Sequence, residues 1–363
     1  NGAVTVHFEL TASSSGSQED LTLDFGGGSV ADVVINGQPV EADYNGFFLT
    51  MPGQALADGL NTATVRFAHP FSEDGTGLHR FTDPVDGRTY LYSYLWPYYA
   101  NRMFPLFDQP NLKARFSLSV EAPADWIVVS LSSGSSEPAA DGSASWQFEA
   151  TPPVPGYVFS LHAGPYHVWE AQAGDVPLRL MARRSLAEYV EVEEWLDVTR
   201  RGLAYFDRYF GIAYPFGKYD QLIVPDFNIG AMENIAAVIF GEQYVQRQPS
   251  NRQERESRAD TILHEMAHMW FGNLVTHNWW NGMWLNESFA TQMANLAMLE
   301  NTEFNDTWHG FFTDIKRKAY WADSRVTTHP IEMPVNSTAE FFSVFDAITY
   351  EKGASALKQL GYA

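Results

Sequence analysis

Short segments in which polar and apolar residues alternate fill the chain from Val4 to about Tyr166. A side-chain period of two, broken repeatedly by Gly, Asn, Asp and Ser, is typical of antiparallel strands. The pair Asn36-Gly37, between two such segments, has the composition of a two-residue hairpin turn. We therefore predict an all-β domain over residues 1–166. The runs Ser13 to Ser17 and Ser132 to Ser136 are predicted to be exposed loops within it.

The pattern changes near Gly164-Pro165-Tyr166. A short strand, VPLRLMARR, precedes a helical pattern that begins near Glu188 and ends at Gly211. Another strand, beginning at Tyr219, leads into NIGAMENIAAVIFGEQYV, and the remainder is mostly helical. Strands followed by mixed and then helical segments indicate an α+β unit behind a β module. We assign residues 167–363 to this second domain.

Two histidines in the segment HEMAH are the first candidates for chemistry. His264 and His268 are four residues apart, so on a helix their imidazoles lie on one face and converge. HExxH on a helix is typical of zinc hydrolases, with the intervening Glu265 as general base. The motif also occurs by chance, and two histidines on an apolar helix can be satisfied core residues. Buried polar groups are costly without a partner, and this cost favours the metal.

A third metal ligand is needed, because catalytic zinc usually takes three protein ligands and leaves one position for water. Glu287 is the candidate. It follows His268 by nineteen residues and lies in the predicted first turn of a second amphipathic helix, WLNESFATQMANLAM. The chain contains no cysteine, which excludes thiolate ligands and disulfides. The sequence therefore predicts a zinc site built from histidine and carboxylate, with one zinc per chain.

Four stretches together resemble the zinc aminopeptidases of the aminopeptidase N type, which are gluzincins. They are GAMEN at Gly230 to Asn234, HEMAH followed by Glu287 in WLNES, Tyr350 in DAITYEKGAS, and the segment from GTGLHRFTDP through RMFPLFDQPNLKARF. The resemblance covers nearly the whole chain. It implies a multidomain protein with a saddle-like all-β amino-terminal domain and a thermolysin-like α+β zinc catalytic domain.

The resemblance also implies where the chain lies within the family's length. Its amino end starts one strand inside the family's β domain, and it stops thirteen residues after Tyr350, before the family's catalytic domain is complete. We therefore expect a catalytic domain truncated at its carboxyl end, and weak or no activity from this chain alone.

Roles for individual residues follow from the resemblance. The implied activity is hydrolysis of the amino-terminal bond of peptides that have a free amino terminus. Glu265 would be the general base and Tyr350 the donor to the oxyanion. Glu233 would pair with the α-ammonium of the substrate. The substrate-binding residues implied by the same motif are Gly230, Ala231, Met232, Glu233 and Asn234.

The residues alone leave two of these roles open. A tyrosine in an apolar helix, such as Tyr350, is more often a core residue than a catalytic one. An isolated NIGAMEN would be interpreted as a strand-end loop in which Glu233 is solvated.

One position departs from the family's pattern. The family usually has a second amine-binding Glu or Gln shortly before the FPxFDxP segment, and the corresponding place here falls on or near Trp96. Neither Glu nor Gln occurs between Leu91 and Leu106. Either another residue substitutes, or Glu233 holds the amine largely alone. An aromatic face attracts an ammonium by roughly 0.5 to 2 kcal/mol, and we hypothesise that Trp96 contributes in this way.

Charge and hydropathy limit the partners. With 23 basic and 44 acidic side chains, the formal charge of −21 disfavours nucleic acid and anionic lipid surfaces. No apolar run approaches the roughly 20 residues that span a bilayer, so we expect a soluble protein without a membrane partner. The cytoplasm is favoured over the periplasm or secretion. The oligomeric state, the preferred amino-terminal residue and the origin of the acidity stay undetermined.

Two further functions were weighed. Some relatives also hydrolyse an epoxide lipid with the same zinc site. A peptide-binding scaffold without chemistry would be expected to have lost ligand residues, which are intact here. Among other polar residues, His277 is predicted to be a packing residue or a residue that contacts a ligand, rather than a ligand itself, and Asn286 and Asp346 are candidates for orienting site groups. The tryptophans of NWWNGMW are predicted to fill the space between the two ligand helices.

Overall fold

The structure, a computed structural model, describes residues 1–11 and 19–362. Ser13 to Ser17, predicted to be an exposed loop, lies outside the described residues. The strands of the amino-terminal part are β1 (Gly2–Leu10), β2 (Leu21–Asp24), β3 (Ser29–Ile35), β4 (Gln38–Val40), β5 (Asp43–Tyr44), β6 (Phe48–Met51), β7 (Gly59–Ala68), β8 (Gly77–Thr82), β9 (Thr89–Tyr94), β10 (Leu118–Pro123), β11 (Ile127–Ser130), β12 (Gly134–Pro138), β13 (Ser143–Phe148) and β14 (Leu161–Gly164). The described residues before Val192 contain no α-helix, so the predicted β-rich character of this part is confirmed.

These strands form four antiparallel sheets. The orders are β1-β7-β3-β4, β2-β6-β5, β10-β13-β12 and β11-β14-β9-β8. Asn36 and Gly37 connect β3 to β4, and both have positive φ, 50° and 79°, as a two-residue hairpin requires. The hairpin prediction is confirmed.

The prediction of a loop at Ser132 to Ser136 is wrong in part. Gly134–Pro138 is an exposed strand that pairs with Ser143–Phe148. Serine has little strand preference of its own, so the pairing partner determines this strand.

The carboxyl-terminal part contains strands and helices. The strands are β15 (His167–Ala173), β16 (Val176–Ala182), β17 (Tyr219–Val224), β18 (Ala231–Met232) and β19 (Ala237–Gly241). The α-helices are α1 (Val192–Phe210), α2 (Arg252–Ala267), α3 (Met283–Asn301), α4 (Thr307–Gly310), α5 (Lys316–Asp323), α6 (Thr338–Phe341) and α7 (Gly353–Leu360), and two π-helical turns cover Phe311–Ile315 and Ile348–Lys352. Helix α1 ends at Gly211, which has φ 66°, as the sequence predicted.

One five-stranded sheet organises this part. Its order is β15-β16-β17-β19-β18, with β16, β17 and β19 parallel and with β15 and β18 antiparallel to their neighbours. Alternate residues of β17 enter different cores. Leu222 packs with residues of the β-rich part, and Ile223 packs with the helices. The sheet therefore lies between the β-rich part on one face and α1, α2 and α3 on the other. The strands change sheets between Gly164 and His167, and the domain boundary after residue 166 stays a prediction.

Two buried cations connect the β-rich part to the α+β part. The Lys218 Nζ donates to the Ser130 carbonyl of β11 at 2.8 Å, to the Ala236 carbonyl at 2.9 Å and to Asp220 Oδ2 at 2.7 Å. Arg183 pairs with Asp83 at 3.0 Å and also with Glu242, which follows β19. Each ammonium or guanidinium has acceptors on both sides of the junction, which compensates its burial.

Helices α1 and α2 pack closely at Gly202. A Cβ at this position would lie 2.6 Å from Leu263 Cδ2 and 2.8 Å from Met266 Sδ. Leu263 and Met266 belong to α2, which carries HEMAH, so the glycine lets the histidine-bearing helix approach α1. None of the helices in the described part of the chain is long and apolar enough to cross a membrane.

We expect Gly202→Val to destabilise the chain by about 1–3 kcal/mol through overpacking against α2. Helix propensity works in the opposite direction, because valine is a better helix former than glycine. The control is Ala204→Val on the exposed face of α1, where only the smaller propensity cost applies. Urea unfolding measures both, and equal stability of the two variants would contradict close packing at Gly202.

A second prediction concerns Asp108 of the β-rich part, which is 3% exposed. Burial, opposed by hydrogen bonds from the Asn101 backbone and side chain at 3.0 Å, raises the pKa of Asp108 to about 7. The unfolded chain has an aspartate pKa near 3.9, so between roughly pH 4 and pH 7 the folded state binds the extra proton and stability falls as pH rises. Between pH 5 and pH 8 wild type should therefore lose up to about 3 kcal/mol relative to Asp108→Asn.

The measurement is urea unfolding of both proteins at pH 5 and pH 8, with the exposed Asp43→Asn as control. A stability difference between wild type and Asp108→Asn that does not change with pH would contradict the raised pKa.

Candidate metal centre and active site

The histidine-bearing helix begins with a capping box. The Asn251 side chain accepts from the Glu254 backbone N–H at 3.1 Å, and the Glu254 carboxylate accepts from the Asn251 N–H at 2.7 Å. Helix α2 therefore begins at Arg252, twelve residues before His264, and holds His264 in its last turn, with His268 as its C-cap. The predicted helix under HEMAH is present, and it places both histidines toward α3.

Three side-chain atoms converge between α2 and α3. His264 Nε2 lies 3.0 Å from His268 Nε2 and 3.3 Å from Glu287 Oε2, and the last two atoms are 3.4 Å apart. Four ligands about 2.0–2.1 Å from a tetrahedral zinc are separated by about 3.3 Å, so the three atoms fit a zinc ion. Glu287 is the fifth residue of α3, so it begins the second turn rather than lying in the first turn that we predicted.

The protonation of His268 is set by its neighbours. Its Nδ1 lies 2.5 Å from Asn286 Oδ1 and 3.1 Å from the Phe271 carbonyl oxygen. Both partners are acceptors, so Nδ1 carries the proton and donates. Nε2 is then the nitrogen that faces the other two candidate ligands, and a metal there would take the place of its proton, which is the usual arrangement of a histidine ligand.

The charge around these histidines also fits a cation. Glu233, Glu265 and Glu287 are each no more than 5% exposed. Burial raises the pKa of Glu233, and burial raises the pKa of Glu265 well above its ordinary value. Although burial opposes it, hydrogen bonding to both histidines lowers the pKa of Glu287 to about 2. Burial likewise opposes charge on His268, but the three carboxylates raise its pKa to about 10. A divalent cation would neutralise this excess of negative charge.

A second group of possible ligands shares His268. Glu233, Glu265 and His268 offer atoms within 4.8 Å of one another, as do His264, His268 and Glu287. The set of His264, His268 and Glu287 contains both imidazoles at tetrahedral spacing. A metal bound by this set would leave the carboxylates of Glu233 and Glu265 free to interact with a substrate.

Tyr350 lies beside the same cluster, in the π-helical turn Ile348–Lys352. Its ring lies over the His264 ring, with centroids 6.3 Å apart and planes at 24°. Burial and the nearby Glu287 raise the pKa of Tyr350 well above 10, so the hydroxyl keeps its proton and remains a donor. The Asp346 carbonyl accepts from the Tyr350 N–H at 3.3 Å, and its carboxylate accepts from the Ile348 N–H at 2.7 Å, so Asp346 contacts this turn through both its backbone and its side chain.

The GAMEN segment forms the edge of the five-stranded sheet. Ala231 and Met232 make up β18, which pairs with β19, and the Gly230 carbonyl accepts from the Gly241 N–H at 2.8 Å. A Cβ at Gly230 would lie 2.8 Å from the Tyr244 hydroxyl, which explains the glycine.

Asn234 lies apart from the other predicted substrate-binding residues. It is fully buried, and its Nδ2 donates to the Phe159 carbonyl at 3.1 Å in the β-rich part. It is not among the described residues that line the cavity at the cluster. We therefore interpret Asn234 as a residue that fixes the end of GAMEN against the β-rich part.

A cavity of about 660 Å³ lies above the cluster. The predicted site residues that line it are Gly230, Ala231, Met232, Glu233, His264, Glu265, His268, Glu287 and Tyr350. Trp96 lines it too, with its ring 4.6 Å from that of Phe345 and 5.3 Å from that of Phe341. Among the described residues the β-rich part therefore contributes Trp96 to the cavity wall, and the ammonium contact of Trp96 stays a hypothesis.

Two predictions about aromatic packing have different outcomes. His277 lies between the rings of Tyr157 and Trp280, at 6.0 and 5.1 Å, and it belongs to neither group of possible ligands. This placement agrees with a packing residue. Trp280 contacts Tyr157 and Phe341 in the core shared with the β-rich part, so the prediction that it fills the space between α2 and α3 is wrong.

Sequence reasoning missed several charged residues of the cavity wall. Glu256 and Asp260 lie on α2, eight and four residues before His264, and thus on the histidine face. Helical periodicity could have identified them. Asp314 and Lys318 form an ion pair at 2.9 Å on the opposite wall, and no local signal in the sequence connects them to the histidines.

Comparisons with known proteins agree with this geometry. The family model named Peptidase M1 N-terminal domain matches residues 1–158, and that named Peptidase family M1 domain matches residues 194–363. Aminopeptidase N of Streptomyces lividans is 42% identical over 98% of this chain and 41% of its own length. Aminopeptidase 2, mitochondrial, of Saccharomyces cerevisiae is 33% identical over 82% of this chain and 32% of its own length. Probable aminopeptidase 2 of Sulfurisphaera tokodaii is 35% identical over 72% of this chain and 33% of its own length. The matched segments thus span about a third to two fifths of these relatives.

We expect Glu287→Gln to weaken zinc binding by more than about 100-fold, because even a change outside the ligand set costs 10- to 100-fold in affinity. The amide removes a negative charge and offers a poorer oxygen ligand. Competition with a chromophoric chelator measures the zinc Kd, and the exposed Glu188→Gln serves as control. A Glu287→Gln chain that binds zinc like wild type would remove Glu287 from the ligand set.

Proposed function

The chain belongs to peptidase family M1, and we propose that it acts as a zinc-dependent aminopeptidase on peptides with a free amino terminus. One observation carries the proposal: the carboxylate of Glu233 lies in the same group as Glu265 and His268, with atoms within 4.8 Å of one another. A carboxylate that can hold an amine is thus beside the candidate metal ligands. The relatives named as aminopeptidases support the same activity.

His264, His268 and Glu287 would hold one zinc ion per chain. Bound zinc lowers the pKa of its water and polarises the scissile carbonyl. His268 is oriented for this by the hydrogen bond that its Nδ1 donates to Asn286.

Glu265 acts as general base. It follows His264 on α2 and points into the same cavity, but it lies outside the set with tetrahedral spacing. Burial raises its pKa, which suits a carboxylate that takes a proton from water and passes it to the leaving amine.

Tyr350 stabilises the negative charge that develops on the scissile carbonyl oxygen. Its hydroxyl stays protonated because burial and Glu287 raise its pKa, so it can donate a hydrogen bond. The contacts of the π-helical turn with α3 fix this residue over the cluster, because Ser288 Oγ donates to the Thr349 carbonyl at 2.6 Å.

Glu233 selects the amino terminus. Its carboxylate would pair with the α-ammonium of the substrate while β18, the neighbouring edge strand, lies along the peptide backbone. An internal peptide bond offers no cation and would leave Glu233 buried without a partner. Such a mismatch costs on the order of 1–3 kcal/mol, which disfavours cleavage within a chain.

We expect Glu265→Gln to lower the release of a chromophore from alanyl p-nitroanilide by about 10²- to 10⁴-fold, because the amide cannot accept the proton. Zinc content should stay at one per chain, since Glu265 is not a ligand. The measurement combines metal analysis with initial rates of wild type and variant, taken at enzyme concentrations high enough to detect the weak activity expected of this chain.

Two outcomes would contradict the proposal. Retained activity in Glu265→Gln would remove the general base. Equal hydrolysis of alanyl p-nitroanilide and its N-acetyl derivative by wild type would show that no free amine is required.

A further inference from the structure

The side chain of Asn286 contacts both the His268 imidazole and the Glu233 carboxylate. Its Oδ1 lies 2.5 Å from His268 Nδ1, and its Nδ2 lies 3.3 Å from Glu233 Oε1. His268 is a candidate zinc ligand, and Glu233 is the candidate anchor for the substrate's amine. We propose that Asn286 is a positioning residue whose single carboxamide couples the metal ligand His268 to the amine anchor Glu233. The proposal rests on the proposed function.

The acceptor and donor of the amide are each placed on the matching side. His268 Nδ1 carries a proton and needs an acceptor, which Oδ1 supplies. The Glu233 carboxylate needs a donor, which Nδ2 supplies. The carboxamide of asparagine is neutral and places an acceptor oxygen and a donor nitrogen on the same carbon, in one rigid plane.

The surroundings fix the amide in this orientation. Asn286 is 3% exposed. Its Nδ2 also lies 3.4 Å from Met283 Sδ, a weak acceptor, so both N–H groups face acceptors. On the other side Gly272 leaves room for the oxygen, since a Cβ there would lie 2.3 Å from Oδ1. The Gly272 φ of 129° also favours glycine.

A rigid amide transmits orientation between its partners. Rotation of the carboxamide that suits Glu233 less well would also withdraw the acceptor from His268. Zinc affinity and amine affinity should therefore share a dependence on this residue, as two binding events linked through one element do.

Two substitutions distinguish the hydrogen bond to His268 from the hydrogen bond to Glu233. Asn286→Asp keeps an oxygen for His268 Nδ1 and makes a carboxylate–histidine pair, but it turns a second carboxylate oxygen toward Glu233. Asn286→Leu has a similar volume and removes both hydrogen bonds. The control is Asn301→Asp, the same isosteric change on α3, about 22 Å further along the helix.

The experiment measures two affinities for wild type and the three variants. The zinc Kd comes from chelator competition without substrate. The Kd of alaninamide for the zinc-loaded chain comes from calorimetry, with N-acetylalaninamide as the ligand that lacks the amine. Circular dichroism reports whether each variant is folded.

We expect Asn286→Asp to bind zinc within about threefold of wild type and to bind alaninamide at least about tenfold more weakly. Asn286→Leu should weaken zinc about 10- to 100-fold, and it should weaken alaninamide as well. Asn301→Asp should match wild type in both. A merely structural role would instead lower both affinities together in Asn286→Asp.

Three results would overturn the coupling. The first two concern Asn286→Asp: an unchanged alaninamide Kd, or a zinc affinity that falls as much as the alaninamide affinity. The third is a folded Asn286→Leu variant with wild-type zinc affinity. Failure of the proposed function is a different observation, namely wild type that binds alaninamide no better than N-acetylalaninamide. The zinc measurements still test the contact with His268 in that case, because they use no substrate.

Discussion

The crowding of buried carboxylates at the base of one cavity is the constraint on which the site depends. Glu233, Glu265 and Glu287 are almost fully buried around His268, although an isolated carboxylate in such a place is strongly disfavoured. The fold compensates with the two imidazoles of α2 and with the amide of Asn286. On the proposed assignment, a dication between the histidines and Glu287 would complete the compensation. Glu265 would then be available to accept a proton and Glu233 to pair with an amine.

This arrangement needs a rigid frame, which the two parts of the chain build together. The five-stranded sheet carries the helices on one face and the β-rich part on the other. The buried Lys218 holds the two parts together through the Ser130 and Ala236 carbonyls. Closer to the cavity, Asn273 donates to the Glu233 carbonyl at 2.9 Å, so the backbone of Glu233, the proposed amine anchor, is fixed as well as its side chain. Trp96 then forms part of the wall above it, which makes the cavity a product of both parts.

Much of this could be predicted from the sequence where the signal is local. The alternation of polar and apolar residues predicted the β-rich part, and the four-residue spacing of the histidines predicted that both lie on one face of α2. The start of α2 has no apolar pattern because its first turns are polar, and the capping pair Asn251 and Glu254 is the local signal for it. The position of Asn234 could not be predicted, since it depends on how the β-rich part docks. For Glu233 and Tyr350 the residues alone favoured ordinary roles, because the cavity brings together positions far apart in the chain.

Crystallography of the zinc-loaded chain, with anomalous data collected on both sides of the zinc absorption edge, tests the central claim most directly. The metal should appear as one peak within bonding distance, about 2.0–2.2 Å, of His264 Nε2, His268 Nε2 and a Glu287 oxygen. Glu233 and Glu265 should lie outside that distance. A peak held instead by Glu233, Glu265 and His268, the other group of possible ligands in this cavity, would contradict the assignment of metal ligand, general base and amine anchor together.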